Sequence, residues 1–145
     1  MVLNKFIDTG QSLSENEIKA IKKSWRILAQ IDPAIIGDVF YRKLFLSYPR
    51  YKHMFPLDMK AQSLKLVHML NQIIMRVENL ESMNQILKEL GSRHIGYGVQ
   101  MSDYEAVGKS LIWTLAQTLG SDWNEELESS WSLLYAHVSQ KMTQN

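Results

Sequence analysis

Apolar side chains recur every three to four residues along most of this 145-residue chain. In the segment that follows Ser14, one such stripe comprises Ile18, Ile21, Trp25 and Leu28. This spacing places the stripe on one face of an α-helix and leaves polar side chains on the opposite face. No segment shows the strict alternation that is typical of a β-strand. The pattern predicts an all-α fold of six to seven helices.

Capping residues predict where several helices begin and end. Side chains that can accept hydrogen bonds from a first helical turn stand at Ser14, Asp32, Asp58 and Ser102. Glu17 and Glu105 lie three residues after the two serines, which is the spacing of a capping box. Gly96 and Gly98 follow His94 closely and predict the end of its helix.

Composition excludes several classes of function. The chain has no cysteine, which excludes disulfides, thiolate metal sites and covalent attachment of a c-type haem. The net charge of +1 comes from mixed signs without a basic stripe, so we expect no nucleic-acid partner. No apolar run approaches the roughly 18 residues of a membrane span, and residues 1–12 lack the apolar core of a signal peptide. We expect a cytoplasmic protein with a flexible arm (residues 1–12) before one domain (residues 13–145).

One histidine stands out as a candidate for chemistry. His94 shares a helix face with Leu87 and Leu90, and a lone histidine on such a face is most often a packed core residue. Gln62, however, also interrupts an apolar stripe, and an amide buried there without a partner would cost about 1–3 kcal/mol. Gln62 therefore either faces water at the helix edge or has a polar partner. One imidazole, a facing amide and an aromatic side chain such as Phe55 are the layout of a haem pocket.

Segments along nearly the whole chain, from about Ser14 to Met142, resemble the globin family in their order and spacing. They are SWRILAQ, IGDVFYRKLFLSYP, HMFPLDMKAQSLKL, LGSRHIGYGV, DYEAVGKSLIWTL and WNEELESSWSLLY. The pattern is most similar to single-domain bacterial globins and the haem domain of flavohaemoglobins, with neuroglobin a near relation. The resemblance implies a globin fold around one haem b (iron protoporphyrin IX).

The resemblance also implies residue roles. His94 matches the proximal ligand, whose Nε2 would bind iron while the other ring nitrogen bonds a backbone carbonyl near Leu90. Tyr41 and Gln62 match the distal polar residues, although Tyr41 could also be a simple core residue. Lys65 could reach a haem propionate or be a solvated charge. The residues expected to contact the haem are Phe55, Leu66, Lys65, Leu90, Val99 and Tyr104.

A five-coordinate ferrous haem would leave the distal side open to O2, NO or CO. A hydrogen bond to the partial negative charge on bound O2 is worth roughly 1–3 kcal/mol, so Tyr41 and Gln62 predict tight binding and slow release. This favours O2 storage, scavenging or sensing over bulk oxygen transport. A haem-free regulatory globin is a third class, which the presence of His94, Tyr41 and Gln62 disfavours.

The alternative is a nitric oxide dioxygenase, which needs an electron donor. Flavohaemoglobins carry a fused flavin reductase, whereas this chain ends at Asn145, so we expect any reductase to be a separate protein. They also place a glutamate beside the proximal imidazole near the end of the last helix. The corresponding stretch, SQKMTQN, has no carboxylate. This difference lowers the expectation of enzymatic activity.

Overall fold

The computed structural model describes residues 12–55 and 58–143. Within them, the α-helices are α1 (Glu15–Leu28), α2 (Pro33–Ser47), α3 (Met59–Met75), α4 (Asn84–Gly96), α5 (Met101–Leu119) and α6 (Glu125–Thr143). Short 3-10 helices span Pro49–Met54, Val77–Met83 and Gly120–Asp122. No strand occurs in these residues, and the predicted all-α fold is confirmed. The predicted arm, apart from Ser12, lies outside the described residues.

Three predicted helix starts are confirmed by their capping contacts. Ser14 and Glu17 form both bonds of the capping box on α1. Asp32 accepts a hydrogen bond from the Ala34 N–H at 3.0 Å and so caps α2. Asp58 caps α3 in the same way. These local contacts satisfy donors that the first turn of a helix cannot pair internally.

Helix α5 begins earlier than the sequence predicts. Its first residue is Met101, and Gln100 forms the capping box with Asp103, whose Oδ2 accepts from the Gln100 N–H at 2.8 Å. The predicted box of Ser102 and Glu105 is wrong because the chain is already helical at Ser102.

Two glycines allow helices to cross at very short distances. A Cβ atom on Gly37 of α2 would lie 2.1 Å from the Cβ atom of Ser63 on α3. Gly37 and Ser63 therefore mark the point where α2 and α3 approach closely at this crossing. A Cβ atom on Gly91 of α4 would lie 1.8 Å from the carbonyl oxygen of Met142 on α6. Both crossings therefore require glycine, and they fix where α3 and α4 lie on the core.

Helices α3 and α4 are supported from different sides. Helix α3 packs mainly against α2, and α4 packs mainly against α6, whereas α3 and α4 have at most marginal backbone contact with each other. Both helices carry apolar side chains that pack on the core yet stay half-buried, namely Leu66, Met69, Leu70 and Leu90. Neither helix therefore covers the apolar side chains of the other. Among the described residues, no helix has the length and apolar character needed to cross a bilayer.

Candidate functional site

The side chains of Tyr41 and Gln62 meet where α2 and α3 pack together. The Gln62 Nε2 atom donates a hydrogen bond to the Tyr41 hydroxyl at 3.2 Å. Gln62 is half-buried and Tyr41 is only 5% exposed, so the amide turns inward rather than toward water. Because the hydroxyl accepts from Gln62, its own proton is available for another acceptor.

Burial determines the protonation state of Tyr41. It raises the pKa of this phenol above its ordinary value, and the hydrogen bond from Gln62, which lowers the pKa, does not cancel the shift. The hydroxyl is therefore protonated at neutral pH and can donate a hydrogen bond.

Aromatic rings surround this polar pair. The Phe55 ring lies 5.1 Å from the ring of Tyr41 and 5.7 Å from that of Phe45, measured between ring centroids. Phe55 follows the 3-10 helix Pro49–Met54 in an extended conformation and is half-buried. The structure thus brings Tyr41, Phe55 and Gln62 together, as the resemblance implies. Phe45 was missed, although it lies one helical turn after Tyr41 and thus on the same face.

Two further residues of α3 have different surroundings. Leu66 follows Gln62 by one turn, is half-buried and packs against the core. Lys65 is exposed and lies on the side of α3 that faces α1. It borders a pocket there that is also lined by Trp25 and His68. Its contact with a haem propionate stays a prediction.

His94 lies in the last turn of α4 and is half-buried. Its Nδ1 atom lies 2.7 Å from the carbonyl oxygen of Leu90, which is the contact expected from the sequence. A carbonyl oxygen can only accept, so Nδ1 carries the proton and Nε2 of the neutral ring keeps a free lone pair. This arrangement orients the imidazole and makes Nε2 the atom that can bind a metal.

The segment after His94 fixes the backbone of this residue and places an aromatic ring near its imidazole. The Val99 N–H donates to the carbonyl oxygen of His94 at 3.0 Å, which becomes possible because Gly98 has a φ of +85°. The Tyr104 ring centroid lies 6.5 Å from that of His94. Tyr104 is anchored in turn, since its backbone carbonyl accepts a hydrogen bond from the hydroxyl of Tyr135 on α6. This contact joins residues 31 positions apart on two helices, so periodicity within one helix could not identify Tyr135.

The residues present fit a porphyrin whose iron takes one protein ligand. No group of three or more His, Cys, Asp or Glu side chains within residues 12–55 and 58–143 could hold a bare metal ion. One imidazole with an available Nε2 suffices when a macrocycle supplies the other nitrogens. The half-buried apolar side chains of α3 and α4 would cover the faces of such a macrocycle. Tyr41 and Gln62 add hydrogen-bond donors to this apolar surface.

Several known proteins resemble this chain in sequence. A flavohemoprotein of Rhizobium meliloti is 27% identical over 130 residues, which cover 88% of this chain and 32% of the relative. A flavohemoprotein of Vibrio cholerae is 24% identical over 131 residues, covering 88% of this chain and 33% of the relative. The chain therefore spans about a third of the length of these curated relatives.

Solved structures show the same fold at lower identity. A hexacoordinated heme protein from an anhydrobiotic tardigrade superposes with a TM-score of 0.80 at 21% identity, covering 90% of this chain and 92% of that protein. A hexa-coordinate hemoglobin of Drosophila melanogaster superposes with a TM-score of 0.82 at 19% identity, covering 90% and 93%. The globin family model matches residues 38–142, which is well over half of the chain. This chain therefore belongs to the globin family.

Proposed function

We propose that this globin binds one haem b through Nε2 of His94 and reversibly binds O2 on the opposite face of the haem. The observation that carries the proposal is the hydrogen bond between His94 Nδ1 and the Leu90 carbonyl, because it leaves Nε2 as the ligating atom. The haem would supply an iron atom that can bind a diatomic gas such as O2, NO or CO. The protein would supply the orientation of the imidazole and the polarity of the distal side.

The distal pair supports preferential binding of O2. Gln62 holds the Tyr41 hydroxyl through an accepted hydrogen bond, so the Tyr41 proton can be donated to a ligand that carries partial negative charge. Each such bond is worth roughly 1–3 kcal/mol, and 1.4 kcal/mol corresponds to about a tenfold change in affinity. CO carries less charge and would gain less. Slow release of O2 suits storage, scavenging or sensing.

The haem contacts are proposed from the same geometry. Phe55 and Leu66 would pack on the distal side, beside Tyr41 and Gln62. Leu90, Val99 and Tyr104 surround His94 and would pack on the proximal side. We keep Lys65 as a candidate for a propionate contact.

The two solved structures named above are described as hexacoordinate, whereas the distal residues of this chain support a five-coordinate ferrous iron. Gln62 presents an amide that is engaged with Tyr41, and a neutral amide is a weaker ligand of iron than an imidazole. His68, on the same helix, borders the pocket that faces α1. A single broad visible band in the reduced protein is expected, and two sharp bands would indicate an internal sixth ligand instead.

Replacing His94 tests the proposal directly. His94→Gly is expected to lose most of its haem during purification and to recover it in the presence of free imidazole, because the small ligand fits the space of the lost ring. The matched control is His68→Gln, which should retain haem fully. Haem retention by His94→Gly with an unchanged spectrum would show that another residue binds the iron.

A nitric oxide dioxygenase is the second candidate, favoured by similarity to flavohemoproteins over 88% of the chain. The reaction combines NO, O2 and one electron to give nitrate, so it requires a reductase as the electron donor. Against it, the proximal imidazole bonds a neutral carbonyl rather than a carboxylate. Sustained consumption of NO with an added flavin reductase would favour this candidate, and a single turnover would favour O2 binding alone.

A further inference from the structure

A second pocket lies on the side of α3 that faces α1. Its volume is about 600 Å³, and it is bordered by the end of α1, the corner between α1 and α2, and one face of α3. Asn71, which borders it, follows Gln62 by about two and a half turns at 3.6 residues per turn, so the two side chains are on opposite faces of α3. The Asn71 side of the pocket is therefore distinct from the candidate haem site, whereas Lys65, three residues after Gln62, borders the pocket and is also the candidate propionate contact.

The inner wall of this pocket is apolar. Leu28, Trp25 and Val67 border it, and each belongs to the buried core. The indole N–H of Trp25 donates to Asn71 Oδ1 at 3.0 Å, which satisfies the polar atom of the ring. Trp25 is 5% exposed, so its indole presents a small apolar area to the pocket rather than a polar atom.

The rim of the pocket carries one lysine and one histidine. Lys65 and His68 are both exposed and lie one helical turn apart along α3. Among the described residues, neither side chain has a hydrogen bond or an ion pair, and no described residue of the pocket lining carries a carboxylate. An anionic group at the rim would therefore be attracted to Lys65, while Asp32, between the lining residues Ile31 and Pro33, holds its carboxylate at the first turn of α2.

We propose that this pocket binds an amphipathic organic monoanion, with its carboxylate at Lys65 and His68 and its apolar body against Trp25, Leu28 and Val67. The volume falls within the roughly 300–1,000 Å³ that small-molecule sites occupy, and it accommodates an alkyl chain of about eight carbons. An apolar wall with a few polar groups at one end is the usual composition of such sites. The charge of the rim selects an anion over an alcohol or an amine of the same length.

Sodium octanoate is the probe for the test, with 1-octanol and octylammonium as matched controls. Binding to the full chain is followed by calorimetry and by the NMR signal of the Trp25 indole N–H, assigned from its loss in Trp25→Phe. We expect a dissociation constant at or below about 1 mM, with the Trp25 signal shifted and the signal of Trp113, which lies outside the pocket, unchanged. Equal binding of 1-octanol would overturn the assignment of an anion, and absence of octanoate binding would overturn the site.

Two variants tie binding to this pocket. Lys65→Met is expected to weaken octanoate binding by about threefold to tenfold, whereas Lys60→Met, an exposed lysine on α3 outside the pocket lining, should leave it unchanged. Ala29→Trp places a large side chain at the pocket from an exposed position and should weaken binding more than tenfold. Unchanged affinity in both Lys65→Met and Ala29→Trp would show that octanoate binds elsewhere.

Discussion

Gln62 shows how a single contact changes the interpretation of a residue. Its position in an apolar stripe allowed either a water-facing edge or a polar partner, and the structure supplies the partner, the hydroxyl of Tyr41. The partner lies on a different helix, 21 residues earlier, so periodicity alone could not identify it. His94 was easier to interpret because its partner, Leu90, is one turn away on the same helix.

Removing either distal donor should speed the release of O2. Tyr41→Phe is expected to raise the O2 dissociation rate by roughly 10- to 100-fold, because it removes a hydrogen bond worth about 1–3 kcal/mol. Stopped-flow displacement of O2 by CO measures this rate. The control is Tyr48→Phe, which removes a hydroxyl from a tyrosine outside the pair. Equal release rates in Tyr41→Phe and Tyr48→Phe would discard the role of Tyr41.

The two distal residues should also act as a unit. Gln62→Leu removes the donor that positions the Tyr41 hydroxyl. It should therefore reduce the contribution of Tyr41 to O2 retention in addition to removing the contribution of Gln62. The double variant Tyr41→Phe/Gln62→Leu is then expected to release O2 more slowly than the product of the two single effects implies. Strict additivity of the two effects would mean that the residues act on the ligand independently.

At the scale of elements, the sequence predicted the helices better than their contacts. Stripes and caps are local, so α1, α2 and α3 begin where Ser14, Asp32 and Asp58 indicate. The predicted start of α5 was wrong because two capping-box patterns overlap there, one that begins at Gln100 and one that begins at Ser102. Sequence spacing alone does not decide between them. The crossing of α4 and α6 at Gly91 was also missed, since its partner lies 51 residues later in the chain.

The crossing at Gly91 is expected to control the position of His94. Gly91→Ala would place a methyl group against the backbone of Met142, which cannot move like a flexible side chain, so α4 must shift. We expect a loss of about 2–3 kcal/mol in the free energy of unfolding, as for overpacked cores, and faster loss of haem. Chemical denaturation and haem transfer to an acceptor globin measure these effects.

Gly96→Ala is the matched control for this substitution. Gly96 lies on the same helix, two residues after His94, and a Cβ atom there would have no neighbour within 4 Å. Its stability should change by no more than about 0.5 kcal/mol. Similar behaviour of the two variants would show that the crossing does not position α4.

At the scale of the whole molecule, four tyrosines predict sensitivity to alkaline pH. Burial is the main reason that the pKa values of these residues are raised in the folded protein, namely Tyr41, Tyr51, Tyr104 and Tyr135. In the unfolded chain they would ionise near pH 10. Above that pH the unfolded chain releases protons that the folded chain keeps, so the free energy of unfolding falls as pH rises.

We expect the protein to lose its helical structure cooperatively above about pH 10, with tyrosinate absorbance appearing in the same transition. Circular dichroism and near-ultraviolet absorbance, recorded on one titration series, measure both. Full ionisation of the tyrosines with intact helical structure would show that these hydroxyls are accessible in the folded state. Stability between about pH 6 and 9 should not depend on these four groups.

Helices α3 and α4 pack against different helices, and this arrangement has a consequence for the order in which the helices unfold locally. Amide protons of α4 and of the preceding segment Val77–Met83 should exchange with deuterium sooner than those of α1 and α5 in protein stripped of haem, because α4 gains little protection from α3. A ligand that touches both helices would slow this exchange by its binding free energy. Hydrogen exchange followed by mass spectrometry, with and without added haem, would therefore map the helices that the cofactor joins.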